Sequence, residues 1–154
     1  MGAGKELVLI DTNVFVIDLR YKRDKNYKTN KELLETIAQN GAGFTTIVNV
    51  LELCGILSFN LNEKQVEELW YYFQQHYGIA VYPQVDLDAD FPAFSIKDLF
   101  DLIKRKTSFG DALMLTFASK YLSFISTIVT WDKDHLKDKY PGKVITPHEY
   151  LKLY

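Results

Sequence analysis

Hydrophobic and polar positions change period repeatedly along this chain, and each change marks an element. Leu7–Ile10 is an unbroken apolar run of strand length, as expected for a buried strand. From Thr12 to about Leu19 the spacing turns helical. Asn30 is placed to cap a helix through Lys31–Asn40, which stops at Gly41 and Gly43. The stretch 43–47 reads as a short strand leading into a helix from about Ile47 to Phe59. Asn62, followed three residues later by Gln65, has the capping-box pattern for a helix that ends at Gly78. Residues 79–83 form a strand stopped by Pro83, and 85–94 a loop. Ser95 with Asp98 opens a helix to about Lys106, and Ser108 with Asp111 opens another to about Tyr121. The clearest strand is 126–132, rich in β-branched residues and ending on Trp131 and Asp132. A short helical turn follows, then a last strand at 143–146, and Pro147 suits the first turn of a terminal helix. Strands alternating with helices imply an α/β fold whose parallel sheet is covered on both faces. No repeat or linker interrupts residues 1–154, which are expected to form one domain.

A few polar residues break this pattern. Asp11 stands between two apolar runs, where an unpaired carboxylate is costly to bury and normally has a partner. Asn49 and Glu52, three residues apart and so on one face, interrupt an otherwise apolar helix. Glu52 therefore faces a partner, a cavity or, if the helix is shallow, water. Asp111 fits a capping box with Ser108, and the same geometry can present its carboxylate beyond the sheet. Asp132, with Asp134 two residues on, closes a strand where turn and capping roles are common. Asp11 and Asp132 both fall at the carboxyl end of an expected strand, where ligands bind in open parallel sheets. Four carboxylates at close range raise one another's pKa. A hard divalent cation offsets this, and magnesium or manganese prefers carboxylate, carbonyl and water ligands. Zinc's usual His and Cys ligands are missing from these positions, and His76, His135 and His148 are scattered. No G-x-S-x-G elbow supports a serine triad. The early Gly-Ala-Gly-Lys lacks phosphate-loop spacing and precedes the first strand.

Composition narrows the class. With 154 residues, 47% apolar and 25% charged, the chain is globular and large enough for a real core. One cysteine, Cys54, excludes an internal disulfide framework. No apolar run reaches the roughly 18 residues of a membrane span, and the start lacks signal-peptide order, so a cytoplasmic protein is expected. The net charge of −2 argues against bulk attraction to nucleic acid. Locally, Arg20, Lys22, Arg23, Lys25, Lys28 and Lys31 are opposed by Asp24 alone, with Tyr21 and Tyr27 interleaved. Lys104, Arg105 and Lys106 form a second basic cluster. Such segments are either solvated loops or tracks for a phosphate backbone with stacking aromatics.

In order along the chain, these motifs resemble the PIN domain, the nuclease domain of many VapC-type toxins and of RNA-processing factors. The resemblance runs over about residues 7–153, through the segments around Asp11, Glu52, Asp111 and Thr130-Trp131-Asp132. It departs at Leu136, where the family has a phenylalanine. It implies a three-layer α/β/α sandwich with a central parallel sheet of four to five strands. It also implies magnesium- or manganese-dependent cleavage of phosphodiesters, usually in single-stranded RNA. Asp11, Glu52, Asp111 and Asp132 would be the catalytic and metal-holding acids, with Asp134 a substitute or auxiliary. Thr12, Asn13, Asn49 and Thr130 would orient carboxylates or waters. Arg20, Lys22, Arg23, Lys25, Lys104, Arg105 and Lys106 would contact single-stranded or structured RNA. A homodimer and an antitoxin protein are the partners that follow. Three alternatives stand beside this reading: a nuclease of RNA maturation, a non-catalytic RNA- or protein-binding module, and a phosphatase of the same fold.

Overall fold

A computed structural model of the chain describes residues 6–83 and 86–154; the Gly-Ala-Gly-Lys segment lies outside them. The described residues form five strands and eight helices. In chain order these are β1 (Val8–Ile10), α1 (Thr12–Arg20), α2 (Tyr27–Asn40), β2 (Gly43–Thr46), α3 (Ile47–Leu57), α4 (Glu63–Tyr77), β3 (Ala80–Tyr82), α5 (Ile96–Lys104), α6 (Phe109–Tyr121), β4 (Thr127–Val129), α7 (Lys133–Leu136), β5 (Lys143–Ile145) and α8 (Pro147–Leu153). The sheet runs β3-β2-β1-β4-β5, and every pair is parallel. The chain leaves β1 in one direction to lay down β2 and β3, and returns on the other side with β4 and β5. The switch point lies between β1 and β4, paired as Leu9↔Ile128 and Ile10↔Val129.

Alternation along the strands sorts the core into two layers, because successive side chains point to opposite faces. Val8, Ile10, Val129 and Ile145 pack with Val14 and Phe15 of α1, Leu33 and Ile37 of α2, Leu53 of α3, Phe73 and Tyr77 of α4 and Tyr150 of α8. Leu9, Ile128 and Val144, the residues between them, pack with Met114, Leu115 and Ala118 of α6 and Leu136 of α7. This is the expected α/β/α sandwich. Helix ends follow the sequence signals. Asn62 and Gln65 form the reciprocal capping box of α4, and Gly41 and Gly78 end α2 and α4 in the left-handed conformation that glycine adopts freely.

Several boundaries differ from expectation. Asn30 is no cap: α2 starts at Tyr27, which puts Asn30 inside the helix and fully buried. It sits at the head of the 30, 33, 34, 37 stripe that faces the core, and its polar group is taken up by the hydrogen bonds described below. The chain leaves the sheet after Val129, so Thr130, Trp131 and Asp132 are free to form the site. Helix α5 ends at Lys104, where Arg105 caps it and Lys106 turns to φ 63°. Helix α3 is mostly buried, with Leu51, Glu52 and Gly55 turned outward. Helix α4 buries Trp70, Phe73 and Tyr77 in the core and leaves Tyr71 and Tyr72 outside. Among the described residues, no helix is long and apolar enough to cross a membrane.

Candidate metal centre

The carboxyl ends of β1 and β4 open into a pocket of about 430 Å³ lined by Asp11, Thr12, Asn13, Val16, Ile17, Tyr21, Asp24, Glu52, Ile56, Asp111 and Asp132. Four elements deliver the four acids. Asp11 follows β1 and caps α1, Glu52 projects from α3, Asp111 lies in the first turn of α6, and Asp132 follows β4. They grade outward: Asp11 is buried, Asp111 half-buried, and Glu52 and Asp132 exposed.

A polar network fixes Asp11. Its Oδ1 accepts the Thr12 amide N–H at 2.8 Å. Its Oδ2 accepts the Thr130 hydroxyl at 2.8 Å and Asn13 Nδ2 at 3.3 Å. Asn13 also donates to Thr130 Oγ1 at 3.0 Å and accepts the Trp131 amide at 3.2 Å, which ties the end of β4 to α1. Thr130 Oγ1 in turn accepts the Asp132 amide at 2.9 Å. Asn49 acts one layer further out. Its Oδ1 closes the capping box of α3 with Thr46, while its Nδ2 donates to Thr12 Oγ1 at 2.9 Å. Thr12, Asn13, Asn49 and Thr130, the expected supports, thus all belong to one continuous network.

Burial and like charges govern the electrostatics of the pocket. Burial pushes the Asp11 carboxyl up to about 7, and the charges of Asp111 and Glu52 add to the rise against the hydrogen bonds from Thr130 and Thr12. Burial likewise raises Asp111, helped by the charge of Asp132 and opposed by Ser108, His135 and Lys139. Negative charge here is therefore under-compensated by the chain itself. Asp11 caps α1, but the Asp111 and Asp132 carboxylates make no cap bond. Ser108 accepts the Asp111 amide at 3.2 Å, but no reciprocal carboxylate bond closes a capping box. Asp132 occupies the cap position of α7 without a side-chain cap bond. Asp134 lies outside the pocket, largely exposed and paired with Lys137 at 3.4 Å.

The donor set is all oxygen, with no thiol or imidazole on the pocket wall, so it fits a hard divalent cation better than zinc. Among the described residues, no three Asp, Glu, His or Cys side chains are gathered closely enough to hold an ion by themselves. A cation here would need waters or substrate phosphate to complete its shell, as magnesium commonly has. Gly110 leaves room for this arrangement. A Cβ there would lie 2.6 Å from Glu52 Oε2. Gly110→Ala should therefore displace the Glu52 carboxylate. Manganese affinity, read by calorimetry, is expected to fall about tenfold, in the range of mutations that disturb ligand support. The melting temperature should move by less than about 3 °C, because the displaced group is a flexible side-chain end.

The expected basic residues divide. Arg20, Lys22 and Arg23, with Leu19, Tyr21 and Asp24, line a second cavity of about 540 Å³ that shares Tyr21 and Asp24 with the acidic pocket. Lys25 is exposed in the same turn. Lys104, Arg105 and Lys106 line neither cavity. Lys104 pairs with Asp101 at 3.2 Å, and Arg105 donates to the Asp138 carbonyl. A larger cavity, about 680 Å³, opens between α5, α6 and the loop before β5, beside the amino ends of β4 and β5. Asp98 is the one carboxylate among its lining residues.

Two supporting residues escaped the sequence reading. Thr46 holds Asn49 through its hydroxyl, donated to Asn49 Oδ1 at 2.6 Å. Asn30 donates Nδ2 to the Val14 carbonyl at 2.8 Å and accepts Trp131 Nε1–H at 2.8 Å, so it joins α1 to the segment after β4. The signal for Asn30 was its place on the apolar stripe of α2.

Neither a protein-family model nor a curated protein matches the sequence. Solved structures do match. VapC20 of Mycobacterium tuberculosis, a Sarcin-Ricin loop cleaving toxin, aligns at a TM-score of 0.59 and 15% identity over 86% of this chain and 95% of that one. FitAcB from Neisseria gonorrhoeae aligns at 0.57 and 18% over 92% and 99%. VapBC2 from Rickettsia felis, bound to a DNA fragment from its promoter, aligns at 0.56 and 20% over 90% and 96%. The fold is that of a VapC-type PIN domain. In this PIN fold, the pocket at the β1–β4 switch point is where an open parallel sheet binds its ligand.

Proposed function

We propose that the chain is a single-domain, magnesium- or manganese-dependent endoribonuclease that cleaves single-stranded RNA as the toxin of a toxin–antitoxin pair. The convergence of Asp11, Glu52, Asp111 and Asp132 on one pocket carries this reading, and the VapC-type fold supports it. Asp11, Glu52 and Asp111 would hold the cation, with Asp132 direct or through water. When bound, the cation supplies a Lewis acid and an activated water. Thr130 and Asn13 keep the Asp11 carboxylate oriented into the pocket. Asn49 fixes Thr12, and so the first turn of α1. Arg20, Lys22 and Arg23 offset the repulsion that a phosphate chain meets at four carboxylates. An antitoxin protein and a second copy of the chain are the partners this reading entails, in the cytoplasm.

The test is cleavage of single-stranded RNA by the full chain with magnesium or manganese, with EDTA and with Glu52→Gln, alongside a phosphomonoester. Expected are cleavage that needs the metal, a loss of at least about 100-fold in Glu52→Gln, and no phosphomonoester turnover. Metal-independent cleavage, or equal rates in Glu52→Gln, would overturn the assignment. Salt provides a further check. Arg23→Ala should lower the slope of log affinity against log salt by about one, as for one lost phosphate contact.

A further inference from the structure

The acidic pocket and the basic cavity share a wall, and Tyr21 is its aromatic member. Its position follows from local backbone chemistry. Tyr21 caps the carboxyl end of α1, its amide N–H donating to the Ile17 carbonyl at 3.0 Å. Its own carbonyl accepts the Asp24 amide at 3.0 Å. Asp24 Oδ1 accepts the Asn26 amide at 2.7 Å, and the Asp24 carbonyl accepts the Tyr27 amide at 3.0 Å. These bonds fix the backbone of the turn between α1 and α2 at Tyr21, Asp24, Asn26 and Tyr27. Yet Tyr21 is 47% exposed. The Arg20 guanidinium lies 5.5 Å from its ring centroid.

Surface cations elsewhere are in part engaged with carboxylates. Lys97, Lys104, Lys133, Lys137 and Lys143 each pair with a carboxylate. Among the described residues, Arg20, Lys22 and Arg23 form no such pair. An exposed ring on a tied turn beside unpaired cations, one wall away from carboxylates suited to a cation, matches the needs of an unpaired nucleotide. The cations take the phosphate, and the ring takes the base. A base inside a duplex has no free face to offer.

We infer that Tyr21 is the stacking platform for the unpaired base next to the phosphate held at the acidic pocket, with Arg20, Lys22 and Arg23 gripping the adjoining phosphate. This rests on the ribonuclease reading and assigns that site its nucleotide subsite. Tyr21 is a positioning residue, since it touches a flanking base and leaves the reacting atoms to the acids.

Two experiments with the full chain test it. In the first, single-stranded RNA with 2-aminopurine at successive positions is titrated with Asp11→Asn protein in magnesium. Fluorescence should be quenched strongly at one position. The added change Tyr21→Leu should remove that quenching and Tyr21→Phe should keep it. In the second, on the otherwise unaltered chain, Tyr21→Leu should raise KM for manganese-dependent cleavage about 5- to 20-fold with kcat changed less than twofold, and Tyr21→Phe should restore KM. Circular dichroism of each variant confirms folding, and Tyr21→Phe carries the test if Tyr21→Leu does not fold. Quenching or KM unmoved in Tyr21→Leu, or Tyr21→Phe failing to preserve them, would overturn the inference while cleavage by the parent upholds the ribonuclease reading. A parent that binds and quenches but does not cleave overturns the ribonuclease reading instead. Absence of both binding and cleavage overturns the two together.

Discussion

Asp11→Asn is expected to abolish metal-dependent cleavage and to make the metal-free protein more stable. The loss of activity should exceed about 1000-fold, since the most buried of the four acids, and the one most firmly held by hydrogen bonds, is neutralised. The gain in stability follows from linkage. The Asp11 carboxyl stands at about 7 in the folded chain against 3.8 ordinarily. Between those values the folded state binds more protons than the unfolded one, so stability falls as pH rises from about 4 to about 7 and levels off above. The full difference corresponds to about 4 kcal/mol. Asparagine removes the charge but weakens the bonds from Thr130 and Asn13, so a net gain of about 2 kcal/mol is expected at pH 8. Thermal melting in EDTA should then show an increase of about 4–8 °C over wild type at pH 8, and much less at pH 4. The same proton competes with a cation, so manganese affinity of the wild type should drop up to about tenfold per pH unit below 7. Equal melting of the two proteins at pH 8 would mean that Asp11 carries no unrelieved charge.

Asn30→Ala should produce a large loss of stability. The residue is fully buried. It bridges the Val14 carbonyl on α1 and the indole N–H of Trp131, next to Thr130 and Asp132. Truncation leaves the indole donor without its partner and opens a small gap under α2. Together these cost about 3 kcal/mol. Denaturant unfolding should show that loss with an unchanged m-value, and melting should drop by about 6–12 °C. Asn30→Asp should be worse, because it buries a charge and turns an acceptor towards the Val14 carbonyl. A change below about 1 kcal/mol in Asn30→Ala would show that water replaces the bridge.

Much of the frame was legible in the residues. The short apolar or β-branched runs at 7–10, 126–132 and 143–146 give strands, and the Asn62–Gln65 and Ser108–Asp111 caps give helix starts. These signals are local: they depend on side-chain direction and on orphan backbone groups within a few residues. They led to Asp11, Glu52, Asp111 and Asp132 as odd polar residues in an apolar setting, and to Cys54 as a lone thiol. Asn30 was misread because an asparagine before a helical stripe looks the same whether it caps the helix or heads its buried face. Only the partners supplied by α1 and Trp131 decide between the two.

The sequence by itself thus determined the alternation of elements, the two-faced core and the identity of the carboxylates. Tertiary structure decided which of them meet. Residues 11, 52, 111 and 132 are far apart in the chain, and only the switch between β1 and β4 brings them to one pocket. Asp132 enters that pocket and Asp134 does not, because the chain leaves the sheet at Thr130 and its hydroxyl holds the Asp132 amide. The cations of the 20–23 turn border the site, whereas those at 104–106 stand apart from it. Charge pattern alone does not separate these clusters, since proximity to a site is set by how helices cross the sheet. The same holds for the raised pKa of Asp11: the residue type is written in the chain, but desolvation and the neighbouring charges come only with the packed fold.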